Sequence, residues 1–241
     1  MRRNALFLAD WLDAAFVHFR VDPALLQPSI PLPLDCYDGH AYVSLVAFTQ
    51  KNLRPTIGGA LAAWLATPLA THEFLNVRTY VRYNNMRGIF FLAEWIPNRL
   101  ACLIGPRTYG LPYRLGKLDY QPLARRVTDG ISNLTFQISN SAEEPHFSSP
   151  GTLDHFLLER YTAFTHRAGV IRRFDVDHEP WPMQHARATM HDASLLSLSG
   201  EWHHHAQLIA AHMSSGVHDV SISTPTKCMN AETPRRRENC I

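Results

Sequence analysis

The stretch from Glu73 to Trp95 does more than any other to limit what this chain can fold into. Asn76-Val-Arg-Thr-Tyr-Val-Arg82 alternates with period two. That places Asn76, Arg78, Tyr80 and Arg82 on one face of a strand and Val77, Thr79, Val81 and Tyr83 on the other. Asn84-Asn-Met-Arg-Gly88 follows, rich in residues that tolerate left-handed backbone, and then Ile89-Phe-Phe-Leu-Ala-Glu-Trp95. Strand, turn and strand read as an antiparallel hairpin. A strand that is apolar on one face and cationic on the other either faces water or lines a polar cavity.

The rest of the chain fits one soluble globular domain. Its 241 residues are 46% hydrophobic and 18% charged, and no Pro/Gly/Ser-rich linker divides them. We expect a single domain over residues 1–223 and a disordered tail over 224–241, where Arg235-Arg-Arg237 accompanies no apolar pattern. A net charge of +2 provides no basic field for nucleic acid. No run approaches the ~18 apolar residues that span a membrane. Asp10 and Asp13 interrupt the apolar start too early for a signal peptide. Cys36, Cys102, Cys228 and Cys240 share no metal-type or redox-type spacing and read as reduced thiols of a cytoplasmic protein.

In chain order, residues 14–21 alternate as a strand, and Asp22-Pro23 opens a short helix or turn. Residues 40–48 form a largely apolar strand, buried on both sides. Residues 58–66 read as a short helix covering one end of a sheet, in preference to a membrane-touching one. A helix follows Pro97 and closes at Gly105-Pro106. Strands are expected from Tyr113, over 131–139, over 170–176, around 200–207 and over 216–223. Thr152 caps a helix running to Tyr161.

Several strings along this path recur in order elsewhere. They are Phe16-Val-His-Phe-Arg-Val-Asp-Pro23, Glu73-Phe-Leu-Asn-Val-Arg-Thr-Tyr-Val81, Arg87-Gly-Ile-Phe-Phe91, Tyr109-Gly-Leu-Pro-Tyr113, Glu159-Arg-Tyr161 and His178-Glu-Pro-Trp181. Over residues 11–223 the chain resembles the YqjF-like family of uncharacterised bacterial proteins. The resemblance implies the fold of acetoacetate decarboxylase: α+β, an antiparallel β-barrel or cone around a central pocket, with a few peripheral helices. It brings no established reaction. Decarboxylases of that fold carry a Pro-Lys-Lys string in which one lysine forms an imine with the substrate and its neighbour depresses that lysine's pKa. Here Pro112 is followed by Tyr113 and Arg114, and the only lysines are Lys51, Lys117 and Lys227. Arginine cannot lose the proton that imine formation requires. A Schiff-base mechanism is therefore not expected.

What remains is a pocket protein for a small oxo- or hydroxy-acid. Arg78 is the candidate carboxylate anchor, since its planar fork takes such groups bidentately. Glu73, Asn76, Tyr80 and Glu94 complete the candidate binding set. A structural ion pair of Arg78 with Glu73 or Glu94 competes with that reading. Tyr113 and Arg114 are the candidate catalytic pair, a hydroxyl for proton donation beside a charge that favours the phenolate. A non-catalytic binder or structural protein is the competing class, and a histidine-site metalloprotein a third. His203 and His205 would share a strand face, with His212, His185 or His191 to complete a set. No His-Glu-x-x-His string accompanies them, so neither metal nor other cofactor is expected. Expected partners reduce to a small carboxylate, with no nucleic acid and no membrane.

Overall fold

The computed structural model describes residues 5–140 and 143–228. Thirteen strands join one sheet: β1 (Ala5–Val21), β2 (Ala41–Pro55), β3 (His72–Tyr83), β4 (Met86–Ile96), β5 (Tyr113–Leu115), β6 (Lys117–Gln121), β7 (Ala124–Thr128), β8 (Asn133–Asn140), β9 (Thr162–Arg167), β10 (Val170–Asp177), β11 (Met183–Asp192), β12 (Gln207–Ser223) and β13 (Thr226–Lys227). Four short helices punctuate them: α1 (Pro23–Leu26), α2 (Gly59–Ala66), α3 (Arg99–Thr108) and α4 (Leu153–Leu158). The class is α+β, dominated by sheet. No helix among the described residues is long and apolar enough to cross a membrane.

The expected hairpin is β3–β4, and its turn is tighter than the sequence implied. Asn84 and Asn85 both adopt positive φ, 47° and 65°, so Tyr83 pairs directly with Met86. Asparagine tolerates that conformation better than other side chains, and two such residues make the hairpin turn whose twist matches its strands. From β4 the hydrogen-bonded path runs through β3, β2 and β1 to β12 in antiparallel steps, and from β4 the other way to β9 in parallel and on to β10. β12 also pairs with β10, Val176 opposite Ile222, so this seven-strand path returns to its start. Beyond β12 the sheet continues as β11, β8, β7 and β6.

Period-two alternation splits the interior into two cores. Along β1, β2 and β3, Phe16, Val46, Phe48 and Phe74 belong to one, with Phe91, Phe174 and Trp181. Val17, Leu45, Leu75 and Val77 belong to the other, which they share with Leu134, Phe136 and Ile138 of β8. The β11–β8–β7–β6 extension thus covers the second face of the central strands. This is why β2 is apolar on both sides, as expected, and why its buried run extends to Gln50.

Some local expectations are corrected. Residues 200–207 are not a strand but a 3-10 turn, Glu201–His205, leading into β12. α3 does not stop at Gly105-Pro106 but runs on to Thr108 with Pro106 inside it, ended by Tyr109 N–H donating to Gly105 O. Thr152 caps its helix as expected, accepting from His155 N, but the helix stops at Leu158. Cys102 and Cys228 are free thiols, as expected. Within the expected tail, Thr226 and Lys227 pair with Arg173 and Arg172 as β13, and residues 229–241 lie outside the described residues.

Candidate functional site

A cavity of about 440 Å³ opens on the face of the central strands that carries Phe48, Phe74 and Phe91. Most of its wall is apolar, from Val46, Ile89, Leu111, Phe174, Val176 and Trp181 among others. Against that background a few polar side chains stand out. Even-numbered residues of β3 put His72, Asn76 and Arg78 into the wall, β4 contributes Glu94, β5 Tyr113, and the segments around β9 and β10 Arg160 and His178.

Arg78 is 7% exposed; its Nη2 donates to the Leu157 carbonyl of α4 at 3.3 Å, and the Tyr80 hydroxyl lies beside it as a further polar neighbour. Its Nε has no partner, and no carboxylate of the described residues lies within ion-pair distance. The expected alternative, a pairing with Glu73 or Glu94, is not what holds it. Glu73 falls on the opposite face of β3, as its odd position requires, and is not part of the site. The nearest balancing charge is Glu159, whose oxygens are taken by Trp181 N–H at 3.0 Å and Tyr161 O–H at 2.5 Å. Burial therefore works against the Arg78 charge, although a guanidinium keeps its proton.

Glu94 shows the complementary effect. It is 2% exposed, one of its oxygens has no hydrogen-bond partner, and burial pushes its carboxyl well above the usual range. Burial thus favours its protonated form, in which it is a donor rather than an anion. Its strand neighbours are Asn76 on one side and Tyr113 on the other. The Oδ1 of Asn76 is also unpartnered. Tyr113 is pushed well above 10 by burial first and by Glu94 second. The expectation of an Arg114-stabilised phenolate is thus overturned. Consecutive residues of β5 point to opposite faces, so Arg114 is exposed, donates to Leu198 O at 3.1 Å and lies over Trp95.

Tyr80 shares the face of Arg78 but lies behind it, donating to the same Leu157 carbonyl at 2.8 Å. It supports the site without lining it. Two histidines, both buried, were not in the expected set. His72 stacks on Phe74 with both ring nitrogens unpartnered, and burial lowers it to about 4. His178 bonds Glu179 O through Nδ1 at 2.7 Å, the turn contact that the sequence implied, which leaves Nε2 as its acceptor. Burial lowers it too, so both imidazoles are neutral at pH 7. Arg160, lowered to about 10 by burial, is tied to Asp35 at 3.1 Å, a buried carboxylate that also binds Arg82 and Arg87.

Lys51, Lys117 and Lys227 are all exposed, and none reaches the cavity. His203 and His205 sit in the 3-10 turn and belong to no group of three metal-type ligands among the described residues.

This arrangement places the chain among proteins of the acetoacetate decarboxylase-like fold. An acetoacetate decarboxylase-like enzyme from Sphingomonas wittichii RW1 superposes with a TM-score of 0.65 at 16% identity, over 94% of each chain. The enduracididine biosynthesis enzyme MppR, in a complex with pyruvate, gives 0.62 at 10% identity over 94% of this chain and 91% of its own. An acetoacetate decarboxylase from Legionella pneumophila gives 0.58 at 11%, over 91% and 88%. Within that fold, residues 8–218 match DUF2071, a family of uncharacterized conserved proteins, and the chain belongs to it. It is also 31% identical over 194 residues to the uncharacterized protein YqjF of Bacillus subtilis (strain 168), covering 74% of this chain and 75% of that one.

Proposed function

We propose that the chain binds a small oxo- or hydroxy-acid with an apolar remainder, inside a barrel or cone made by the seven strands whose path closes at β10 and β12. The observation that carries this reading is Arg78: a buried guanidinium at a cavity wall, with an unpartnered Nε and no carboxylate of the described residues within ion-pair distance. Buried charges are retained where something pairs with them. A ligand carboxylate supplies that partner bidentately. The protonated carboxyl of Glu94 and the Tyr113 hydroxyl then serve as donors to the ligand's oxo or hydroxy oxygen. The MppR structure of the same fold holds pyruvate, an acid of this class.

Chemistry at such a site proceeds without an imine. A neutral imidazole, His178 or His72, takes a proton from the carbon next to the ligand's carbonyl. Glu94 gives its own proton to the oxygen as the enol forms, and the reverse transfers restore both groups. Isothermal titration with pyruvate and longer-chain 2-oxo acids tests the binding step. Arg78→Gln is expected to weaken it at least tenfold, about the value of one charge-assisted hydrogen bond. Failure of the wild-type protein to take up any of these acids overturns the proposal. Deuterium exchange at the ligand's α-carbon, followed by NMR, separates an enzyme from a non-catalytic binder using the same pocket.

A further inference from the structure

We infer that Asp154, His185 and His212, none of which lines the cavity, form a binding site for a divalent transition-metal ion of the zinc class. The three offer ligand atoms that all lie within 4.8 Å of one another. Asp154 opens α4, and His185 of β11 and His212 of β12 face each other as direct strand partners. His212 Nε2 is 3.1 Å from Asp154 Oδ1, and His185 Nε2 is 3.1 Å from Asp154 Oδ2. Ligands about 2.1 Å from a tetrahedral ion stand roughly 3.4 Å apart, so little movement is needed to admit one. Two imidazoles and a carboxylate suit zinc, nickel, cobalt or ferrous iron, and not calcium or magnesium.

A chain of hydrogen bonds shows why the site has a ring nitrogen to spare. Tyr80 gives its only proton to Leu157 O at 2.8 Å, so Ser44 must donate to Tyr80 across their 2.6 Å contact. His18 Nδ1–H therefore donates to Ser44, also at 2.6 Å. With His18 neutral, its Nε2 accepts from His212 Nδ1–H at 3.1 Å. The lone pair of His212 is then left on Nε2. That atom is fully buried and makes no hydrogen bond of ordinary geometry, although it lies 3.1 Å from Asp154 Oδ1. A metal ion fills this position where a second acceptor cannot. The outer contacts match those that orient metal-bound imidazoles: His18 behind His212, and the Glu143 carboxylate 3.1 Å from His185 Nδ1. His185 is half exposed, which leaves a fourth position open to water.

The ion would fasten α4 to β11 and β12, and α4 carries the Leu157 carbonyl that holds Arg78 and Tyr80. The site and the cavity are nonetheless separate, and the inference stands whether or not the cavity takes an acid. The test uses untagged full-length protein stripped with a chelator and titrated with Zn²⁺ by calorimetry, with Co²⁺ absorption as a second probe. One ion per chain is expected, with a tetrahedral cobalt spectrum and a raised Tm for the loaded protein. His185→Ala and Asp154→Asn, both changes at partly exposed side chains, are expected to weaken binding at least tenfold and abolish the Tm gain. The double change His203→Ala/His205→Ala should leave both unaltered. Absence of stoichiometric binding, or binding that survives His185→Ala and Asp154→Asn, overturns the assignment.

Discussion

Burial favours the protonated form of Glu94. Its shift has a signed consequence for stability. In the unfolded chain the carboxyl ionises at its ordinary value of 4.5, whereas in the folded protein burial holds the proton to a much higher pH. Between those two values the folded state binds the extra proton, so stability falls as pH rises through the interval. Glu94→Gln removes the dependence and keeps a neutral hydrogen-bonding group of the same shape. The variant is expected to melt above the wild type at pH 8, with the two converging near pH 4. An equal difference at both pH values in scanning calorimetry would mean that Glu94 is ionised and paired. At this scale the sequence was partly legible. That Arg78 and Asn76 share a face could be read from the alternation on β3, and both line the cavity. Arg114 was misplaced because neighbours in a strand were treated as neighbours in space. His72, Arg160 and His178 carried no local signal that they line a pocket, since only tertiary closure brings them together.

Among the elements, the β4–β9 contact leaves little room for change. β9 runs parallel to β4, and Gly88 lies where the two approach. A Cβ there would stand 2.6 Å from Thr162 O and 2.7 Å from the Phe164 ring. Gly88→Ala must displace backbone or a core aromatic, and a cost of about 1–3 kcal/mol is expected in urea unfolding. A loss below ~0.5 kcal/mol would show that the two strands separate freely. The hairpin β3–β4 could be read from the sequence because its alternation, its asparagine turn and its apolar partner run agree. β11 could not. Residues such as Gln184, His185, Arg187 and Thr189 leave it half exposed along its length, without an apolar run to announce a strand. The His203–His205 run was taken for strand because its spacing allowed it, yet Trp202 is buried in the core and draws the segment into a turn.

For the molecule as a whole, the fold is that of imine-forming decarboxylases while the amine is missing. All three lysines sit on the surface, so none is desolvated in the way that makes an amine nucleophilic near neutral pH. Borohydride together with pyruvate or acetoacetate should leave the mass of the protein unchanged, and a stable adduct on any lysine would contradict this. The fold class was legible because a resemblance along most of the chain supplied the topology. Periodicity alone reports strands but not their order.

That order also fixes when the chain can become a protein. β1 takes β12 as one of its two neighbours, and His18 and His212 bond across 194 positions of sequence. On a ribosome, the first strand must wait until almost all of the described chain has emerged before its partner exists. Contacts of such separation make folding slow, because the loop must close before any of them is gained. Nascent chains stalled before Gln207 should therefore remain protease-sensitive and lean on chaperones, with resistance arriving late and all at once as β12 clears the exit tunnel. Stepwise resistance in progressively longer stalled chains would show instead that the β2–β4 sheet holds on its own.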